Sequence, residues 1–168
     1  MLLGNNKYNI YDHRKKLSDE LLSKILDFDK SQFPYPWTRE SWTNFFNGRR
    51  HFVLCTLEGQ ELNGFSLFSV DVIDGNSELL KICVERSLCG KGIASSLFKK
   101  SLHYIDKNYG LNSIYLDVSA LNHRAIKFYE KFGFDKVRYQ KKFYTDQNDA
   151  HGMILLFNDS IKKSMLTE

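Results

Sequence analysis

The sequence predicts a single α/β domain whose mixed, mostly antiparallel central sheet of about seven strands is flanked by about four helices. Three observations support this fold class. Strand and helix patterns follow one another in the order β-α-α-β-β-β-α-β-α-β-β. Three of the strands are separated only by turn signals, which is typical of an antiparallel meander. A later strand–helix–strand unit has the pattern of a right-handed parallel crossover.

The length and composition fit one domain. The chain has 168 residues, and 42% of them are apolar, which is enough to bury a sizeable core. Neither an internal repeat nor a linker-like stretch divides the chain. We therefore assign residues 1–157 to the domain and residues 158–168 to a C-terminal tail.

Charge and cysteine content exclude several functional classes. The net charge is only +4, and the basic pairs are scattered, whereas a nucleic-acid binder more often carries a basic block. No apolar run is long enough to span a membrane, and the N-terminus is too polar for a signal peptide. The three cysteines show no CxxC spacing, which argues against a metal site or a disulfide framework. We expect a cytoplasmic protein without a nucleic-acid, membrane or metal partner.

The first part of the chain contains two helix signals separated by an aromatic segment. Ser18 is a suitable N-cap for a helix, since the apolar residues after it recur at the spacing of one helical face. The segment 31–37 holds both prolines and predicts an extended aromatic loop. Thr38 then caps a short helix, which we expect Gly48 to end.

Three strands of a meander follow. Residues 51–57 are rich in β-formers, residues 62–72 give the returning strand of a hairpin, and residues 78–85 give a third strand. Turn signals at 58–60 and 74–76 separate them.

The rest of the chain alternates helix and strand before ending in a hairpin. A long helix is predicted over 93–109 and a strand over 113–119. Asn122 caps the next helix, whose apolar residues recur at i, i+3, i+4 and i+7. Residues 134–144 and 151–157 predict the two final strands.

The segment Cys89-Gly90-Lys91-Gly92-Ile93-Ala94 lies between a strand and the long helix and is the most informative in the chain. The first N–H groups of such a helix are unpaired, the helix dipole is positive there, and glycines let a phosphate approach. The segment fits neither the dinucleotide fingerprint nor a P-loop. A plain glycine turn is the alternative.

With this segment the chain resembles the GCN5-related N-acetyltransferase (GNAT) superfamily. The family's pyrophosphate loop has Gln or Arg, two free positions, Gly, one free position, and Gly or Ala; Gly92 and Ala94 match, and Cys89 departs. The similarity extends over about 78–157 and includes AIKFYEKFGF at 125–134, which closely resembles the family signature. Within the superfamily the chain is most similar to the bacterial ribosomal-protein-alanine N-acetyltransferase branch.

The resemblance implies acetyl-CoA as co-substrate and no metal. In the family, backbone of the fourth strand holds the pantetheine and polarises the thioester carbonyl, and the glycine turn holds the pyrophosphate. The residues thereby implied in cofactor binding are Ile82, Cys83, Val84, Cys89, Gly90, Lys91, Gly92, Ile93, Ala94, Ser95, Asn122 and Phe128. Asn122 can serve both as a cofactor contact and as a plain helix cap.

Two residues occupy catalytic positions of the family. Asp117 lies where the branch has an acidic general base, and it can equally be a structural hydrogen-bond acceptor. Glu78, near the start of the preceding strand, is a weaker candidate for the base. Tyr129 matches the general acid that reprotonates the CoA thiolate, and the alternative is a core tyrosine. No motif places a His beside Cys83 or Cys89, so a cysteine nucleophile is disfavoured.

Four aromatic residues are candidates for lining the acceptor groove: Phe33, Tyr35, Trp37 and Tyr144. For Trp37 alone, core packing is the competing interpretation. The resemblance implies direct attack by an amine in a ternary complex, with a protein N-terminal α-amine as the acceptor. A small-molecule amine acetyltransferase and a catalytically silent acyl-CoA-binding regulatory domain are the alternatives. The sequence is compatible with a monomer or a homodimer.

Overall fold

The computed structural model describes residues 7–47 and 50–166. Within these residues the elements are β1 (Lys7–Tyr11), α1 (Asp19–Gln32), α2 (Arg39–Phe46), β2 (His51–Glu58), β3 (Glu61–Val70), β4 (Asn76–Val84), α3 (Ile93–Tyr109), β5 (Ser113–Ser119), α4 (His123–Lys131), β6 (Asp135–Gln140), β7 (Ala150–Leu156) and α5 (Asp159–Leu166). A short 3₁₀ turn at Arg86–Leu88 links β4 to the glycine turn.

The predicted fold class is confirmed. Seven strands hydrogen-bond in the order β1-β2-β3-β4-β5-β7-β6. Strand β4 pairs with β5 in parallel, whereas β1 with β2, β2 with β3, β5 with β7 and β6 with β7 are antiparallel. None of the described helices is long and apolar enough to cross a membrane.

The chain divides into two compact units. The first unit contains the described residues up to Ser69 together with Lys81–Tyr104, and the second contains Val70–Leu80 together with the described residues from Ile105 onward. Both β4 and α3 contribute residues to each unit.

In the first unit the predicted caps are confirmed. The Ser18 hydroxyl accepts the Leu21 N–H at 3.2 Å, and the Thr38 hydroxyl accepts the Ser41 N–H at 3.1 Å. Helix α1 continues through Gln32, so the extended loop begins two residues later than the prolines predicted. The glycine expected to end α2, Gly48, lies outside the described residues.

The end of β4 and the start of α3 share one apolar cluster in the first unit. Leu54, Val84, Ile93 and Leu97 are buried together there. Because Val84 precedes the glycine turn and Ile93 follows it, their packing fixes both ends of that turn.

In the second unit the burial of side chains along β5 alternates, as the sequence predicts. Ile114, Leu116 and Val118 are buried, while the residues between them are only half-buried. The Asn122 side chain caps α4 by accepting the Ala125 N–H at 3.1 Å. The sixth strand is shorter than the predicted 134–144 because it ends at Gln140, before a turn.

The segment expected to be a tail forms a fifth helix, α5. Asn158 caps it by accepting the Ile161 N–H at 2.9 Å, and Lys162 forms an ion pair with Asp106 at 2.8 Å. Residues 159–166 thus have a defined attachment to the second unit.

Candidate active site

The glycine turn of the first unit has the geometry of an anion cradle. Gly90 and Gly92 have φ of +80° and +81°, a conformation that other residues rarely adopt. The Ser96 N–H bonds to the Gly92 carbonyl at 2.9 Å as α3 begins, which leaves the N–H groups before it without a partner inside the helix. No atom lies within 4 Å of where a Cβ at either glycine would be, so the turn is open to an incoming phosphate.

Cys89 ties this turn back to the end of β4. Its thiol lies 3.6 Å from the Glu85 carbonyl oxygen and 3.9 Å from that of Val84, to which it donates weak hydrogen bonds. The position where the family prefers Gln or Arg therefore still anchors the loop, but without a positive charge.

The strand segment 82–84 also lies in the first unit. Ile82 and Cys83 are half-buried and Val84 is buried. Burial raises the pKa of the Cys83 thiol well above its ordinary value, so this side chain is a neutral thiol near neutral pH. A neutral thiol is a poor nucleophile, which agrees with the sequence-based expectation.

Three of the aromatic candidates gather around a buried charge that the sequence analysis did not identify. The ammonium of Lys81 lies 4.4 Å from the centre of the Phe33 ring and 5.4 Å from that of Trp37, and it donates to the Tyr35 carbonyl at 3.4 Å. Its partner is the carboxylate of Asp29, 2.7 Å away. The fourth aromatic candidate, Tyr144, belongs to the second unit, where its N–H donates to Asn148.

Asp117 is the focus of a hydrogen-bonded cluster in the second unit. Its Oδ1 accepts the Tyr115 hydroxyl at 2.7 Å and the Gln140 amide at 3.0 Å. The Arg138 guanidinium lies 3.6 Å from the same oxygen and donates to the Tyr115 hydroxyl at 2.8 Å. The interpretation of Asp117 as a hydrogen-bond acceptor is therefore realised in the structure, and the proton-accepting role stays a prediction.

The strand opposite Tyr115 supplies a second carboxylate. Glu78 of β4 is in register with Tyr115 of β5, and alternation puts Asp117 on the same face as Tyr115. Glu78 reaches solvent, but partial desolvation of its carboxyl and the nearby negative charge of Asp117 raise its pKa above 4.5. The environment of Glu78 therefore favours the protonated form of its carboxyl more than water does.

A glycine on the neighbouring strand makes room for this cluster. Gly152 of β7 is in register with Asp117, and a Cβ at Gly152 would overlap the Tyr115 hydroxyl. The absence of a side chain at Gly152 lets the Tyr115 hydroxyl reach Asp117.

The remaining candidates lie on α4 in the second unit. Tyr129 is buried, and its ring packs 5.4 Å from that of Phe128 and 5.5 Å from that of Phe134. Asn122 is exposed apart from its capping bond. Among the described residues, no group of three or more His, Cys, Asp and Glu side chains could hold a metal ion.

Only pairing and register reveal the residues that the sequence analysis missed. Asp29 and Lys81 are separated by 52 residues, and neither lies in a motif. Tyr115, Arg138 and Gln140 come from two strands that are joined only through β7. The one signal in the sequence was Lys81 itself, which alternates with Leu79 and Cys83 on one face of the strand.

Comparison with known proteins identifies the fold and the family. The model of the acetyltransferase (GNAT) family matches residues 22–134. A relative named N-alpha-acetyltransferase from Saccharolobus solfataricus is 37% identical over 75 residues, which cover 45% of this chain and 45% of the relative. The match thus spans less than half of that relative's length.

Two solved structures have a similar fold along most of their length. The ribosomal-protein-S18-alanine N-acetyltransferase from Escherichia coli has a TM-score of 0.75 at 22% identity, covering 89% of this chain and 94% of its own. Arabidopsis thaliana NAA60 in complex with acetyl-CoA also has a TM-score of 0.75, at 20% identity, covering 90% of this chain and 99% of its own. At these identities the likeness establishes the fold.

Proposed function

The chain belongs to the acetyltransferase (GNAT) family, and from that premise we propose that it transfers the acetyl group of acetyl-CoA to the α-amine of a protein N-terminus. The observation that carries this proposal is the likeness to an archaeal protein named N-alpha-acetyltransferase. The aromatic segment at 33–37 supports it, because a loop with three half-buried rings suits a peptide better than a small polycation.

The glycine turn is suited to the pyrophosphate of acetyl-CoA. Two left-handed glycines and the N-terminus of α3 offer backbone donors in open space. Acetyl-CoA, when bound, supplies the activated acetyl group as a thioester. In this proposal Ile82, Cys83 and Val84 hold the thioester arm through their backbone, and Lys91 to Ser95 complete the turn. Asn122 and Phe128 are the further cofactor contacts that the family resemblance implies.

Glu78 is the group that we assign to removing the proton from the acceptor ammonium, directly or through a water molecule. A carboxylate with a raised pKa accepts a proton more readily near neutral pH. Asp117 contributes by its negative charge, which is held in place by Tyr115 and Gln140. If Asp117 were itself the base, as its family position predicts, the proton would be accepted on Oδ2, since Oδ1 accepts the two hydrogen bonds.

Acetyl transfer also requires a proton for the thiolate that leaves. The neutral amine nitrogen attacks the thioester carbonyl carbon, a C–N bond forms, and the C–S bond breaks with its electrons passing to sulfur. Tyr129 is assigned to donating its phenolic proton to the departing thiolate. The neutral thiol of Cys83 takes no covalent part in this proposal, so attack is direct, in a ternary complex.

A steady-state assay of CoA release tests the function. Purified protein is given acetyl-CoA with peptides beginning in Ala, Ser or Met, and in parallel with a polyamine, an amino acid and an aminoglycoside. We expect release with at least one peptide and little with the small amines. Release with small amines alone would contradict the N-terminal assignment, and acetyl-CoA binding without any release would favour the silent regulatory domain.

A further inference from the structure

The buried ion pair between Asp29 and Lys81 has no part in the chemistry described above. The Asp29 side chain is 0% exposed and that of Lys81 is 6% exposed. Burying two charges costs more free energy than burying apolar groups of similar size, so stability alone does not explain the pair.

Both charges are directed at the aromatic segment 33–37. The Lys81 ammonium contacts the rings of Phe33 and Trp37 and the carbonyl of Tyr35. Burial lowers the pKa of Lys81, and the hydrogen bond and negative charge of Asp29 oppose that shift and favour the cation.

Asp29 uses its second oxygen to hold the far end of the same segment. Its Oδ2 accepts the Trp37 backbone N–H at 2.9 Å and the Trp42 indole N–H at 3.1 Å. Since Asp29 is on α1 and Trp42 on α2, one carboxylate joins the last turns of α1, the end of the loop and α2.

Lys81 directly precedes the strand segment 82–84 that is assigned to the thioester. The ion pair therefore connects the loop assigned to the acceptor with the strand assigned to the acetyl donor, all inside the first unit.

We propose that Asp29 and Lys81 are positioning residues that fix the segment 33–37 on β4 and so determine the affinity for the acceptor peptide. The inference rests on the proposed function, because it takes this segment as the acceptor-binding loop. Apolar replacements would fill the same space but would provide no directed bonds to residues 33–37, so the loop would lose its fixed register.

The test uses the double variant Asp29→Leu/Lys81→Met, which leaves neither charge unpaired. Its matched control is Glu20→Leu/Lys24→Met, the same exchange at an ion pair on α1 with exposures of 73% and 32%. We expect the peptide KM to rise about tenfold in the test variant and about threefold or less in the control. The dissociation constant for acetyl-CoA and kcat should stay within about threefold of wild type.

Hydrogen exchange at the Trp37 amide gives a readout that needs no activity. This N–H is held by Asp29, so its exchange should accelerate in the test variant and not in the control. A folded test variant with unchanged peptide KM and unchanged Trp37 exchange would overturn the inference, as would equal losses of peptide and acetyl-CoA affinity.

A second variant covers the case in which the double variant does not fold. Asp29→Asn/Lys81→Gln keeps the approximate size of both side chains and leaves no charge unpaired, so it should fold and raise the peptide KM by about threefold. An unchanged KM would contradict the inference. If wild-type protein acetylates no α-amine at all, the proposed function fails, and the Trp37 exchange still decides whether the pair positions the loop.

Discussion

The two units each contain a group of charged side chains, and the groups differ in how completely their charges are compensated. In the first unit the buried Asp29 carboxylate has a cation on one oxygen and two N–H donors on the other. In the second unit the hydrogen-bond donors converge on one oxygen of Asp117, and the negative charge of Asp117 adds to partial burial in raising the pKa of Glu78. The first group joins a loop to a strand, and the second contains a carboxyl whose pKa is raised.

This difference separates residues that hold a loop in position from residues that exchange protons during the reaction. A carboxylate that is fully paired and buried cannot take a proton without losing its bonds, so it is suited to holding a loop. A carboxyl with a raised pKa accepts a proton at a higher pH than an ordinary carboxyl does, so it is suited to acid–base catalysis. Variants in the first unit should therefore change stability and binding, and variants in the second unit should change the rate and its pH dependence.

The largest expected effect comes from leaving a buried charge unpaired. Lys81→Met removes the cation beside Asp29 and should lower the free energy of unfolding by about 3–5 kcal/mol. Chemical denaturation measures this effect. Lys24→Met, at a partly exposed ion pair on α1, should cost about 0.5 kcal/mol or less. Equal effects of the two variants would contradict the contrast between a compensated buried pair and a surface pair.

The next largest effect is on the rate. Glu78→Gln removes the assigned proton acceptor and should lower kcat by about 10²-fold with acetyl-CoA binding unchanged. The pKa of Glu78 is raised in the folded protein, so its favourable contribution to stability is present below pH 4.5 and is lost as the pH rises through the raised pKa. At neutral pH the variant should therefore be at least as stable as wild type.

Calorimetric melting and single-turnover kinetics measure these two effects together. Glu130→Gln, which removes an exposed carboxylate on α4, is the control and should leave kcat unchanged. A Glu78→Gln protein that is less stable and fully active would remove Glu78 from the mechanism.

Much of the fold was predictable from local signals. The caps at Ser18, Thr38 and Asn122 and the alternation along β5 are properties of neighbouring residues, and the structure confirms them. Helix α5 also had a local signal in the cap at Asn158, which was overlooked because the segment is short and polar.

The partners of the site residues were not predictable in this way. The pairing of Asp29 with Lys81 depends on how α1 packs on β4, and the coupling of Glu78 to Asp117 depends on the register of two parallel strands. Neither register nor packing has a signature in a single sequence, because residues far apart in the chain create both.

A smaller effect distinguishes the two carboxylates. Desolvation is the larger cause of the raised pKa of Glu78, and the negative charge of Asp117 is the second. Asp117→Asn removes that second cause. With Glu78 as the base, the acidic limb of the kcat/KM profile should move to lower pH, and the plateau should fall by about tenfold or less. Wild type and variant are measured with the same peptide, so the titration of the acceptor amine cancels. A collapse of activity at every pH would instead identify Asp117 as the base.

The smallest effect is expected at the glycine turn. Cys89→Arg introduces the residue type that the family prefers and adds a positive charge beside the assigned pyrophosphate site. Acetyl-CoA should bind about threefold tighter, with kcat unchanged, because the backbone donors provide most of the binding. Isothermal titration calorimetry measures the affinity, and Cys89→Ser serves as the uncharged control. A weaker affinity in Cys89→Arg would indicate that the thiol contacts to Val84 and Glu85 fix the turn.

The most direct test of the central claim is to locate the transferred acetyl group. A peptide with a free α-amine and an internal Lys is incubated with acetyl-CoA and the protein, and tandem mass spectrometry assigns the modified nitrogen. The account predicts one added acetyl group, on the α-amine, and none on the same peptide with a blocked N-terminus. Acetylation of the Lys side chain alone, or of neither amine while polyamines are modified, would contradict it.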